Sequence, residues 1–198
     1  MGNRDEERAF FDALAGSWDE TVDPVRIRNI LAAAEVGFGH TVLDVGSGTG
    51  ILLPFLLEAV GPEGRVFALD ISPAMLERSK GKGFKGVEYI CAPAEAIPLE
   101  DNTCDVVVCY RAFPHFADKL AAAREMSRVL VPGGRMVIAH PQSREDLNEF
   151  HRHMDGPVRG DFLPDDDTMM MLMKSAALMN VRIYNGPSDY MLLAVKPA

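Results

Sequence analysis

One stretch, Thr41-Val42-Leu43-Asp44-Val45-Gly46-Ser47-Gly48-Thr49-Gly50, restricts the possible folds more than any other part of this 198-residue chain. A run of β-branched and apolar residues carries an acid near its end, then meets three alternate glycines, and a helical pattern follows. The physical reading is a buried strand that turns sharply into a helix, with glycines where something large must approach the backbone. The spacing separates two ligand classes. Dinucleotide sites use G-x-G-x-x-G, whose third glycine lets helix and strand pack closely. Here Ile51 stands where that third glycine would be, and Asp44 lies two residues before the first. A carboxylate there repels a pyrophosphate and suits a cation.

Further elements follow in order. Arg65 to Leu69 is a short apolar strand with Asp70 at its end, and Ser72-Pro73 reads as an N-cap and first helical position. An acid at the end of a second strand can accept both hydroxyls of a ribose. Val87 to Cys91 reads as a third strand and Cys104 to Tyr110, apolar almost throughout, as a fourth in a buried parallel sheet. Lys119 to Leu130 is an alanine-rich helix, broken by Pro132-Gly133-Gly134 before a fifth strand from Arg135 to His140. Two helices, Arg4–Leu14 and Pro24–Glu35, precede the first strand; helices over Asp146–Met154 and Asp166–Met179 and strands Val181–Tyr184 and Tyr190–Val195 follow the fifth. Strand and helix alternate, which predicts a parallel sheet with right-handed crossovers. Asp165, Asp166 and Asp167 sit where a helix N-terminus favours negative charge. The methionines of 169–173 suit a core, although flexible methionine also suits a ligand wall.

The D-x-G-x-G-x-G turn after a strand resembles motif I of the class I S-adenosylmethionine-dependent methyltransferases, and the later matches occur in that family's order. The resemblance implies an α/β, Rossmann-like doubly wound sheet: seven strands, mostly parallel, an antiparallel C-terminal strand in a terminal hairpin, and helices on both faces. It implies S-adenosylmethionine, whose sulfonium and amino group are positive, as cofactor. The cofactor set carried onto this chain is Asp44, Gly46, Ser47, Gly48 and Gly50, with Asp70 on the ribose and Ile71 and Met75 beside the adenine. Tyr110 and Arg111, where the fourth strand ends, complete it. After the third strand the family places an Asp-Ala pair at the adenine edge; here Pro93 takes the acid's position, offering neither carboxylate nor N–H, and leaves the Ala94 backbone and Glu95 as candidates. The string Arg128-Val129-Leu130-x-Pro132-Gly133-Gly134 is similar to the family's turn before the fifth strand. The segment Phe10 to Asp19 resembles the N-terminal cap of the branch that methylates quinones and other small molecules.

Composition narrows the partners. A net charge of −9 argues against nucleic acid, whose phosphates need Lys and Arg. No apolar run approaches the roughly 18–20 residues that span a bilayer, and no signal-peptide pattern is present, so a cytoplasmic protein without a membrane role is expected. Cys91, Cys104 and Cys109 lie in or beside predicted buried strands without C-x-x-C spacing, which suggests reduced core thiols rather than a disulfide frame or zinc knuckle. The length suits a single domain: residues 1–36 a helical cap, 41–140 the cofactor-binding core, 141–198 helices and the terminal strand pair. Monomer and homodimer both stay open.

Three of the five histidines carry the chemistry left unassigned. His115 follows the fourth strand and His140 ends the fifth, and ligands of open α/β sheets bind beyond the carboxyl ends of strands. His151 shares a helix face with Leu147, Phe150 and Met154, with Asn148 at its margin. His40, before the first strand, lies at the far end. His115, His140 and His151, with Asn148, are thus candidates for one pocket, as a general base, as acceptor-orienting groups or as metal ligands, against a purely local hydrogen-bonding role; the weight falls on His140 and His151. Their spacing matches no metal motif, and no metal site is assigned. The family often carries two histidines before Phe-x-Asp at this point; Pro114 replaces the first and His115-Phe116-Ala117-Asp118 retains the rest.

The expectation is methyl transfer to a small molecule by in-line displacement, in a pocket roofed by the N-terminal helices and 142–164. Two alternatives stand beside it: a non-catalytic module binding S-adenosylmethionine or S-adenosylhomocysteine, for which a blocked acceptor cavity would speak, and methylation of a metal- or metalloid-bound acceptor. A nicotinamide oxidoreductase is disfavoured by Ile51 and Asp44.

Overall fold

Strands rich in Val, Ile and Leu form the middle of one sheet because both of their faces are covered. The computed structural model describes residues 2–18 and 21–198, so Asp19 lies outside the described residues. Strands β1 (Thr41–Val45), β2 (Arg65–Asp70), β3 (Val87–Cys91), β4 (Cys104–Tyr110), β5 (Leu130–His140), β6 (Met179–Asn185) and β7 (Tyr190–Val195) assemble in the order β3-β2-β1-β4-β5-β7-β6. The first five are parallel to one another and β7 is antiparallel to both β5 and β6. The expected Rossmann-like mixed sheet is therefore the fold.

Helices α1 (Gly2–Leu14), α2 (Pro24–Ala33), α3 (Leu53–Val60), α4 (Pro73–Gly81), α5 (Lys119–Val129), α6 (Arg144–Arg152) and α7 (Asp166–Ser175) surround it. Strand alternation sends Leu43, Val45, Val107 and Ile138 to one face, against Ala122 and Met126 of α5 and Met169 and Met173 of α7. It sends Val42, Val66, Val108 and Val137 to the other, against Ile27 and Leu31 of α2 and Leu53 and Leu56 of α3. Strand order reverses between β1 and β4, the place where open α/β sheets open a crevice for ligands.

Several boundaries differ from the sequence reading. The Pro132-Gly133-Gly134 turn is part of β5, because Gly133 N–H donates to Lys196 O and Lys196 N–H to Gly134 O, extending the sheet along the C-terminal segment. Helix α6 starts at Arg144, since the Ser143 side chain caps it at Asp146 N–H. Helix α7 ends at Ser175 instead of Met179: Ala177 turns left-handed at φ 58°, and β6 has begun by Met179. Asp165 caps α7 as its acidic start suggested. Met170 and Met171 are exposed while Met169 and Met173 are core, so none of the four forms a ligand wall. Cys104 and Cys109 are buried, but Cys91, at the end of edge strand β3, is exposed and is not a core thiol. No helix among the described residues is long and apolar enough to cross a membrane.

Candidate active site

The glycine turn is held against the end of β2 by main-chain bonds: the Gly46 and Ser47 amides both donate to Leu69 O, at 2.8 and 2.9 Å. All three glycines adopt positive φ, where other L-residues are strained. Their surroundings differ. A Cβ on Gly46 would stand 2.2 Å from Ala112 Cβ, and one on Gly50 2.3 Å from Ser79 Oγ, so at these two positions the crowding group is the protein itself. At Gly48 nothing lies within 4 Å of the Cβ position, leaving the backbone open to a ligand. Gly50 does not line the cavity, contrary to its place in the expected cofactor set; its glycine serves packing against α4.

Asp70 bridges the two turns that frame this opening. Its Oδ2 accepts the Gly48 amide and its Oδ1 the Ser72 amide, each at 2.8 Å. Burial raises its pKa above the usual carboxylate range, against the lowering effect of these amides. Asp44, on β1, is 1% exposed and its Oδ2 has no hydrogen-bond partner among the described residues. Burial, then the nearby Asp70 charge, push its pKa from 3.8 to about 8. Ser47 Oγ is also buried and has no partner among the described residues.

These groups line a cleft of about 890 Å³, partly open to solvent, with Ile71, Met75, Pro93, Ala94, Glu95, Tyr110 and Arg111 around it. Apart from Gly50, every expected cofactor residue borders this one space. Glu95 is partly engaged, since its Oε1 accepts the Asp118 amide at 3.1 Å. Helix α1 covers the cleft: Asp12 accepts from Ser72 Oγ and the Ala74 amide, and Arg78 bonds the Ala15 carbonyl, docking α1 on the start of α4. This brings Glu7, Phe11 and Trp18 to the cleft wall. Glu7 carried no local pattern to mark it; its contribution depends on how α1 docks.

A second cavity of about 860 Å³ adjoins the first and is lined by His115, His140 and His151, with Phe10, Leu147, Phe150 and Met154 among the apolar walls. The three histidines do converge, with the His115 and His151 rings 5.0 Å apart. Asn148 does not join them: its side chain makes two bonds to the Leu163 main chain, holding the loop after α6. His140 is 1% exposed with neither ring nitrogen partnered among the described residues, and burial, reinforced by His115, His151 and Arg111, lowers its pKa to about 3. His151 is also lowered, chiefly by burial and then by His115. No group of three His, Cys, Asp or Glu among the described residues could hold a metal ion.

Phe11, Trp18, Arg111 and His115 line both cavities. Arg111, just past β4, takes φ 63°, a left-handed conformation that non-glycine residues seldom hold outside sites where surrounding structure enforces it. Its amide bonds Ala139 O at 3.0 Å and its guanidinium lies 5.8 Å from the Trp18 ring centre. Asp161, which bonds His115 Nδ1 at 2.8 Å, escaped the sequence reading because it stands in an irregular segment without a motif.

Comparison with known proteins accounts for this geometry. A methyltransferase domain family model matches residues 43–138. The ubiquinone/menaquinone biosynthesis C-methyltransferase UbiE of Enterobacter sp. (strain 638) is 36% identical over 176 residues, covering 74% of this chain and 69% of that protein. A SAM-dependent methyltransferase from Aquifex aeolicus superposes with a TM-score of 0.72 at 26% identity, over 95% of this chain and 97% of that one. The methyltransferase in complex with the Haloferax volcanii activator Trm112 shares the fold, with a TM-score of 0.76 at 21% identity over 95% and 98% of the two chains. S-adenosylmethionine suits the first cavity, where buried, unpartnered Asp44 and Ser47 oxygens face an open glycine backbone. The chain belongs to the class I S-adenosylmethionine-dependent methyltransferases.

Proposed function

We propose that this enzyme methylates a planar aromatic small molecule, neutral or anionic, held in the histidine-lined second cavity. The observation that carries the reading is the shared wall of Phe11, Trp18, Arg111 and His115, which makes the two cavities neighbours across one boundary. An in-line displacement needs donor and acceptor to meet at such a boundary with water excluded.

Charge selects the acceptor. Carboxylates Asp44 and Asp70 line the first cavity, while among the described residues no Asp or Glu lines the second and Arg111 is its one permanently charged side chain. An ammonium acceptor would be desolvated there with no carboxylate of the described wall to pair it, Asp161 being taken by His115, whereas a phenol or phenolate finds aromatic walls and hydrogen-bonding imidazoles. The relatives named as C-methyltransferases of ubiquinone and menaquinone biosynthesis support a hydroxylated ring as the acceptor class.

When bound, S-adenosylmethionine supplies an electrophilic methyl group. In this reading Asp44 and Ser47 receive its charged and polar groups, Asp70 accepts from the ribose hydroxyls, and Ile71 and Met75 cover the base, with Ala94 and Glu95 at its edge. Residues 41–140 form the cofactor core, and the described residues of 1–36 together with 142–164 roof the acceptor. Gly50 supports the turn from behind.

The test is tritium transfer from methyl-labelled S-adenosylmethionine, under anaerobic conditions, to 1,4-naphthohydroquinone and, separately, to benzylamine. Label in the hydroquinone and none in the amine is expected. Label in the amine alone would overturn the acceptor class.

A further inference from the structure

Asp161 holds two of the three histidines at once. Its carboxylate Oδ2 lies 2.8 Å from His115 Nδ1, and its main-chain carbonyl bonds His151 Nδ1. Carbonyl and carboxylate oxygens only accept, so both rings present Nδ1–H to Asp161, and Nε2 is the nitrogen each leaves for the cavity. Their positions separate them. His115 borders the cofactor cavity as well as the acceptor cavity, while His151 borders only the second. His115 Nε2 has no hydrogen bond among the described residues, and Phe11, with ring centres 5.2 Å apart, and His151 fix the plane of its ring. His140 has a ring neighbour, Tyr190 at 6.4 Å, but no hydrogen-bond partner among the described residues. Among the described residues no group fixes its tautomer or balances a charge on it, and burial, reinforced by the neighbouring imidazoles and Arg111, opposes its protonation.

We propose that His115 is the general base of methyl transfer and that Asp161 is its positioning residue, fixing the tautomer and balancing the charge the ring acquires. The proposal rests on the second cavity's being the acceptor site. The weight that the sequence placed on His140 and His151 moves to a histidine whose qualification is a partner 46 residues away. In the balanced step the acceptor's O–H proton goes to His115 Nε2, and the electron pair so released forms the new bond to the methyl carbon, at oxygen or at a ring carbon conjugated with it. The carbon–sulfur bonding pair stays on sulfur, neutralising the sulfonium as the imidazolium forms. Methylation at carbon leaves a ring carbonyl conjugated with the methylated carbon; the His115 imidazolium returns its proton to that oxygen, and Nε2, free again, takes the ring proton as aromaticity returns and passes it to solvent. The Asp161 carboxylate faces the cation, as the third member of a catalytic triad does.

Three variants, His115→Gln, His115→Ala and Asp161→Asn, test this with 1,4-naphthohydroquinone as acceptor. His115→Gln should lower kcat about 100-fold or more, with KM for the hydroquinone, calorimetric affinity for S-adenosylmethionine and melting temperature nearly unchanged. Asp161→Asn should lower kcat about tenfold or more, and imidazole in solution should restore part of the rate of His115→Ala. A His115→Gln rate within threefold of the wild type, or a loss confined to KM, would overturn the assignment. If the wild type leaves the hydroquinone unmethylated, the acceptor class fails and ¹⁵N-correlated imidazole spectra decide the dyad on their own. An Nδ1–H tautomer at His115 that is lost in Asp161→Asn retains it; an Nε2–H tautomer in the wild type overturns it.

Discussion

Replacing Asp44 by Asn should stabilise the ligand-free protein while weakening its hold on the cofactor, and pH should expose both effects. The Asp44 carboxyl is fully enclosed, has an oxygen without a partner, and faces Asp70, which is why its pKa stands near 8 instead of 3.8. The folded chain therefore binds a proton that the unfolded chain releases between these values, so native stability attributable to Asp44 is fully present below about pH 4 and is lost as pH rises to about 8. The full difference is on the order of 5 kcal/mol. A cationic ligand reverses the preference by favouring the ionised form. At pH 7 about nine-tenths of the ligand-free molecules carry the proton, so binding should release roughly 0.9 H⁺, falling to about 0.5 at pH 8. Affinity should climb about tenfold per pH unit from 5 to 7 and level off above 8. Calorimetric titration of S-adenosylmethionine in phosphate and in Tris, whose ionisation heats differ, counts the protons directly. Asp44→Asn should abolish the release, raise the melting temperature at pH 8 and weaken binding. Zero proton release at pH 7, with equal affinity at pH 5 and 8, would refute the account of this carboxylate.

Two further outcomes follow from the turn around it. Gly46→Ala would force a Cβ to within 2.2 Å of Ala112 Cβ at φ 73° and should cost about 2–4 kcal/mol in denaturant unfolding, whereas Gly48→Ala, with open space around it, should cost only about 1–2 kcal/mol and show its effect in cofactor affinity instead. Equal losses of stability would mean that crowding at Gly46 is relieved by a backbone shift. Asp70→Ala frees the Gly48 and Ser72 amides and removes an acceptor for the ribose, so affinity for S-adenosylhomocysteine should fall by about 1–3 kcal/mol; unchanged affinity would remove the ribose role.

Much of the cofactor site was readable because its residues are local in sequence. Gly46, Ser47 and Gly48 follow one strand, and Asp70, Ile71 and Met75 follow the next, so parallel pairing of Asp44 with Ala68 and Val45 with Leu69 brings both turns to one edge. The acceptor side was only half legible. His115 and His140 could be placed because strand ends point to one edge, and His151 from its helix face, but which histidine had a partner depended on the segment between α6 and α7. Asn148, facing the right way by helix periodicity, is taken by the Leu163 main chain. At Gly50 the motif is the expected one, yet the group crowding it is a serine of α4.

The sequence by itself determined the alternation of strand and helix, the glycine turn with its flanking acids, and hence the class of cofactor, since periodicity, backbone freedom and charge act over a few residues. Only the tertiary structure decided that α1 closes the cleft through Asp12, that two cavities share a wall, and that Asp161 meets His115. Contacts between segments tens of residues apart depend on loop paths and packing, and hydrogen-bond partners at that separation leave no local pattern from which to read them.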